Sequence, residues 1–173
     1  MHRPMQKFKP LPSPQRLHEL LRYESQAGKL YWKQPVARWI KPGDEAGTYV
    51  RCAVDVTIDT VTYRAHRIIW LLMTGQDPGL FLIDHIDGNP HNNKLENLRA
   101  ASSHQNQCNQ KKRKDNTSGL KGVTWDKNRR KWAASIHANR KRIALGRYDS
   151  KEEAYAAYCE AACRLHGDFA RLD

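Results

Sequence analysis

From Leu82 the chain runs Leu82-Ile83-Asp84-His85-Ile86-Asp87-Gly88-Asn89-Pro90, then Asn92-Asn93, then Leu95-Glu96-Asn97-Leu98-Arg99, then Ser103-His104-Gln105-Asn106. Leu82 and Ile86 fall on one side of an alternating run and Ile83 and His85 on the other, which predicts a strand carrying Asp84-His85. Asp87 to Pro90 is turn chemistry. Leu95 to Ala101 predicts a second short strand containing Asn97, and Ser102 or Ser103 is placed to cap a helix carrying His104, Asn106 and Cys108. Folding strand, strand and helix back on one another gathers the Asp84, His85 and Asn106 side chains into one cleft.

These residues resemble the HNH endonuclease motif, in the variant where asparagine replaces the last histidine. The match rests on the Asp84-His85 pair, the twelve-residue step from His85 to Asn97 and the nine-residue step from Asn97 to Asn106. The resemblance implies a ββα-metal core over about 82–109. In it His85 is the general base, Asp84 and Asn106 hold one divalent ion, and Asn97 braces the loop. The chemistry asks for such groups: imidazole ionises near neutral pH and can take a proton from water. A hard ion such as Mg²⁺ or Mn²⁺ suits carboxylate and amide oxygens and offsets phosphate charge. An EF-hand loop begun at Asp84 fails, because Ile86 occupies its third position. A zinc site from His91, His104 and Cys108 stays open, since His104 and Cys108 are one helical turn apart; no second Cys or His pair completes the usual spacing.

The net charge of +12 points to a polyanionic partner. Its distribution narrows the choice. Residues 81–110 carry 2 Lys and Arg against 3 Asp and Glu, whereas 111–173 carry 16 against 8. Basic flanks around an acidic pocket suit a protein that grips a phosphate backbone and holds a metal. Four cysteines without a C-x-x-C pair, and no signal peptide or long apolar run, predict a protein without membrane association, with free thiols, in the cytoplasm of a bacterial host if phage-encoded.

Residues 1–10 are expected to be a basic tail. Ser13-Pro14 starts a short helix, Gly28 to Trp32 reads as a strand, and Tyr49 to Tyr63 as a hairpin turning at Asp59-Thr60. His66 to Gly75 is too continuously apolar to be exposed and predicts a buried helix. Phage-type HNH proteins are similar in placing a His-Arg-aromatic helix just before the catalytic strand, so His66, like His104, is a candidate to line the cleft. A core histidine is the alternative.

Residues 111–118 lack a large apolar side chain and predict a basic linker between a nuclease domain at 11–110 and a second domain at 119–173. Three strands follow, over 121–125, 131–137 and 141–148, then a helix from Ser150 with Ser150-Lys-Glu-Glu153 as capping box. Gly122-Val123, Lys131 to Ile136, Leu145 to Tyr148 and Glu152-Glu153-Ala154 resemble the plant Apetala-two/ethylene-response-factor DNA-binding domain. That likeness implies DNA contacts from Lys121, Thr124, Ser135, His137 and Arg142. Thr124 and Ala144 stand where the plant domain has Arg and Trp, so its target sequence does not carry over. Alternation puts Trp132, Ala134 and Ile136 on a core face, with Ile143 and Leu145, and Lys131, Arg140 and Arg142 outward. Arg130 joins the basic face. From 111 to 147 there are 13 Lys and Arg against 2 Asp and Glu, the footprint of a phosphate partner.

The sequence thus predicts an α+β protein: an HNH core, then a three-stranded antiparallel sheet packed on one helix. The function expected is a metal-dependent endonuclease of the homing type on double-stranded DNA, with one Mg²⁺ or Mn²⁺ per site and no small-molecule substrate. A sequence-specific DNA-binding regulator with an inactive HNH block is the alternative, and an RNA-binding sheet is disfavoured by its few exposed aromatics. Oligomeric state and recognition sequence stay open.

Overall fold

The computed structural model describes residues 9–112, 115–139 and 141–172. It divides into two compact units, 1–102 and 103–173, each taken by itself.

In the first unit Ser13 accepts the Arg16 N–H at 3.2 Å and starts α1 (Pro14–Leu20), with proline in the first turn where no donor is lost. β1 (Leu21–Glu24) pairs antiparallel with β2 (Lys29–Trp32). β1 was not expected: Leu20 and Leu21 continue the apolar stripe of α1, so periodicity alone carries the helix past its end. β3 (Thr48–Val50), β4 (Ala53–Ile58) and β5 (Val61–Arg64) form a second sheet. The β4–β5 turn falls on Asp59-Thr60, both at positive φ (47° and 68°), as a two-residue hairpin between right-twisted strands requires.

α2 (Ala65–Thr74) ends at Gly75 in the left-handed conformation. Its Ile68 and Ile69 are fully buried with Leu17, Val56 and Ile58, and this core also takes in Ile83 of β6 (Leu82–His85) and Leu98 of β7 (Leu98–Ala101). Arg67 donates to the carbonyls of Phe81 (2.9 Å) and Gly79 (3.0 Å), fixing the entry to β6. β6 and β7 pair antiparallel, with Asp84 opposite Arg99 and His85 opposite Leu98. The expected second strand over Leu95–Ala101 is shorter: Leu95–Asn97 forms a 3₁₀ turn, so Asn97 lies at the mouth of β7 rather than within it.

The second unit begins with α3 (Ser103–Cys108). Within this unit α3 is tied locally. Lys121 Nζ donates to the carbonyls of Cys108 (3.0 Å), Gln110 (2.7 Å) and Arg171 (3.0 Å). The expected linker is partly a folded turn: Ser118 is buried and donates to Val123 O at 2.8 Å, and Asn116 Nδ2 donates to Leu120 O at 2.9 Å. Arg113 and Lys114 of that stretch, and nearly all of the expected basic tail, lie outside the described residues.

β8 (Val123–Asp126), β9 (Lys131–Ala138) and β10 (Lys141–Tyr148) form an antiparallel sheet in the order β10-β9-β8. α4 (Lys151–His166) packs across it, capped by Ser150 accepting the Glu153 N–H at 3.1 Å. Ala154, Ala161 and Ala162 let the helix sit close, and Tyr158, Val123, Ala134 and Ile136 fill the interface. Ile143 departs from expectation. It pairs with Ile136 but lies on the edge strand, beside an irregularity between Ala144 and Gly146, and stays 39% exposed. Among the described residues no helix is long and apolar enough to cross a membrane.

One backbone approach links the β1–β2 turn to the site. Gly28 has φ +68°, and a Cβ there would meet Lys94 N at 2.6 Å and Asn93 C at 2.9 Å. Gly28→Ala is expected to destabilise the chain by more than ~1 kcal/mol in urea unfolding, through positive φ and this clash together; a stability equal to that of the wild type would show that the approach is not needed.

Candidate active site and nucleic-acid interface

Asp84 and His85 end β6, 7% and 8% exposed. A buried carboxylate and imidazole need partners, and the fold supplies them. Arg99, opposite Asp84 across the β6–β7 pair, places Nε and Nη2 each 3.0 Å from Asp84 Oδ2. His85 Nε2 lies 2.8 Å from Asn93 Oδ1. An amide oxygen only accepts, so Nε2 carries the proton and the basic lone pair of the neutral ring is on Nδ1. Asn93 is itself 3% exposed. Its carbonyl accepts from Tyr23 Oη at 3.2 Å, and the same hydroxyl accepts the Leu95 N–H at 2.9 Å.

Asn97 ties the loop between the strands at several points. Its Oδ1 accepts the Asp87 N–H (3.0 Å), its Nδ2 donates to Asp87 Oδ1 (3.0 Å) and Asn92 O (2.8 Å), and its carbonyl accepts the Ile86 N–H (2.9 Å). Burial works to raise the Asp87 carboxyl, but the Asn89 N–H and the amides of Asn92 and Asn97 outweigh it and hold the group below the usual carboxylate range.

His66, at the start of α2, stands edge-on to His85, ring centroids 5.1 Å apart. Its Nδ1 is buried and finds no hydrogen-bond partner among the described residues. Burial first, then the charges of His85, Arg67 and Arg64, push its pKa down to about 3. His91, by contrast, is engaged by Val50 O at 2.8 Å and stands edge-on to the Tyr49 ring.

In the second unit, α3 carries His104, Asn106 and Cys108. The partner that His104 and Cys108 find is His166, whose Nδ1 lies 3.2 Å from Cys108 Sγ. Burial pushes the Cys108 thiol up, with Lys121 opposing, while burial, His104 and Lys121 lower the His166 imidazole. On the sheet, Thr124, Arg130, His137 and Arg142 are exposed and Ser135 half-buried. Arg142 Nε donates to Ser135 Oγ at 3.1 Å. Three other cations of this domain are already engaged. Lys131 meets Asp149 at 3.1 Å, Arg147 meets Asp126 at 2.9 Å, and the Lys121 amine is spent on three carbonyls. Arg140 lies outside the described residues.

Sequence reasoning gave Asn93, Arg99, Tyr23 and His166 no role. Asn93 stood in the motif with nothing to distinguish it from Asn92, and the other three act across the fold at long sequence separation.

A strand ending in Asp-His, an asparagine-braced loop and a returning strand make up the candidate site of the first unit, and comparison with known proteins gives the chain a family. The model of the HNH endonuclease family matches residues 63–108, and that of the AP2 domain matches 118–168. Protein 3.8 of Escherichia phage T7 is 42% identical over 109 residues, 63% of this chain and 89% of that protein. The uncharacterized HNH endonuclease L560 of Acanthamoeba polyphaga mimivirus is 31% identical over 116 residues, 66% of this chain and 59% of the viral protein. No solved structure matches. The chain belongs to the HNH endonuclease family and carries an AP2 domain behind the HNH segment. Both domains indicate DNA binding.

His66 generates a pH prediction. Its folded pKa lies below the ordinary ~6.5, so the unfolded chain takes up the proton first as pH falls. Stability is complete above about pH 6.5 and drains between there and about 3. Calorimetry should show a smaller fall in Tm between neutral pH and about pH 5 for His66→Gln than for wild type; equal falls would mean that His66 protonates freely in the folded state.

Proposed function

We propose that the chain is a metal-dependent endonuclease that hydrolyses phosphodiester bonds in double-stranded DNA at a recognised site, in the manner of a homing endonuclease. One observation carries the reading: His85, buried beside Asp84, has Nε2 bound to an acceptor, so that its basic nitrogen is Nδ1. In the reaction a water attacks phosphorus, His85 Nδ1 takes its proton, one P–O ester bond breaks, and the leaving oxygen takes a proton from solvent. Asn97 holds the 86–92 loop, and Asn93 fixes the ring so that the base acts without reorganising.

A carboxylate from Asp84 and an amide oxygen from Asn106 are hard donors that fit Mg²⁺ or Mn²⁺, and Arg99 orients the carboxylate. The pairing of Asp84 with Asn106 comes from the motif. When bound, the ion supplies Lewis-acid stabilisation of charge on the phosphate.

The test is incubation with supercoiled plasmid and with source-genome DNA, with Mg²⁺ and with chelator, followed by mapping of cut ends. His85→Ala should lower cleavage ~10²- to 10⁴-fold, the usual contribution of a general base, and leave DNA affinity nearly unchanged. Wild-type protein that binds one sequence and never cuts would instead favour the DNA-binding regulator.

The AP2 sheet generates a second expectation. Arg130 and Arg142 are exposed on this face, and we assign both to DNA phosphate. Removing both should make the slope of log affinity against log salt shallower by about 2, since each phosphate contact contributes about 0.9. An unchanged slope in a binding titration would move docking off this face.

A further inference from the structure

α3 is six residues long, too short to hold its conformation alone. It nevertheless presents His104 and Cys108 from one side, four residues apart, toward the C-terminal end of α4. There Cys108 Sγ lies 3.2 Å from His166 Nδ1 and 4.0 Å from His104 Nε2. All three atoms lie within 4.8 Å of one another. In a tetrahedral zinc site, with Zn–N of about 2.05 Å and Zn–S of about 2.3 Å, a nitrogen–sulfur edge is about 3.6 Å, so the two observed edges straddle the required length.

We propose that His104, Cys108 and His166 form a zinc site that clips α3 to the end of α4. Two imidazoles and a thiolate are the borderline-soft donors that select zinc over Mg²⁺, so this site differs in chemistry from the oxygen site at Asp84. The three residues line a cavity of about 550 Å³, which leaves room for a water as fourth ligand. Lys121 already draws the same pieces together through the carbonyls of Cys108 and Arg171. Its positive charge opposes the cation, and the Cys108 thiolate offsets it. Binding displaces the thiol proton to solvent and forms the Zn–S bond. Because α3 also bears Asn106, the clip fixes the helix from which that residue is presented.

The experiment uses the full chain without a histidine tag, dialysed against metal-free buffer and loaded with Zn²⁺ or Co²⁺. About one zinc per chain is expected by mass spectrometry of metal content. Co²⁺ should give a thiolate-to-metal charge-transfer band and the intense visible bands of tetrahedral coordination. Cys108→Ser should abolish the charge-transfer band, and His166→Gln should remove the tetrahedral spectrum, while His85→Ala keeps both. Added zinc should raise Tm in wild type and not in Cys108→Ser. Absence of stoichiometric metal in the wild-type chain overturns the proposal even if a variant fails to fold. A band that survives Cys108→Ser, and so belongs to Cys52, Cys159 or Cys163, overturns it too, as does zinc that leaves with His85→Ala.

Discussion

The hydrogen bond between His85 Nε2 and Asn93 Oδ1 is the interaction on which the candidate site of the first unit depends. Both side chains are buried, so breaking it strands two polar groups at a cost of ~1–3 kcal/mol each. The surrounding structure is arranged to keep it. Tyr23 bridges the Asn93 carbonyl and the Leu95 N–H, Gly28 lets the β1–β2 turn press against the Asn93–Lys94 backbone, and Asn97 ties the loop to Asp87 and Asn92. The short loop is thereby over-determined, and the imidazole tautomer is set by the fold itself. Preorganisation of this kind lets a base act with little rearrangement.

The second unit shows why a charge count overstates what is offered to DNA. Lys131, Arg147 and Lys121 each serve the fold, through Asp149, Asp126 and three carbonyls. Arg130 and Arg142 stay at the exposed surface. The excess over 111–147 is still large, but the share of it available to phosphate is set by these pairings.

Local chemistry made much of this legible in the sequence. Ser13-Pro14, Ser150 to Glu153 and Asp59-Thr60 mark their cap, capping box and turn because each motif satisfies its own backbone. Asp84 and His85 fall on a strand, as the short apolar run around them and the turn residues after it indicate. What escaped depends on distance in sequence. β1 merges with the apolar stripe of α1, and Ile143 is exposed because an edge strand and an irregularity leave it uncovered. Arg99 reaches Asp84 only through cross-strand register, and His166 reaches Cys108 only once α4 has packed. Asn97 illustrates a mixed case: its place in the motif was legible, but its 3₁₀ setting follows from the Asn97 N–H bonding Lys94 O at 2.9 Å, which spacing does not reveal.

Asn93 holds His85 with its proton on Nε2 and its basic lone pair on Nδ1. Long-range ¹H–¹⁵N correlation spectra of the imidazole, recorded above its titration, report the tautomer directly. An Nε2–H ring is expected in the wild-type chain, turning to a mixture of tautomers in Asn93→Ala. An Nδ1–H ring in the wild type, or a tautomer indifferent to Asn93, would contradict this assignment.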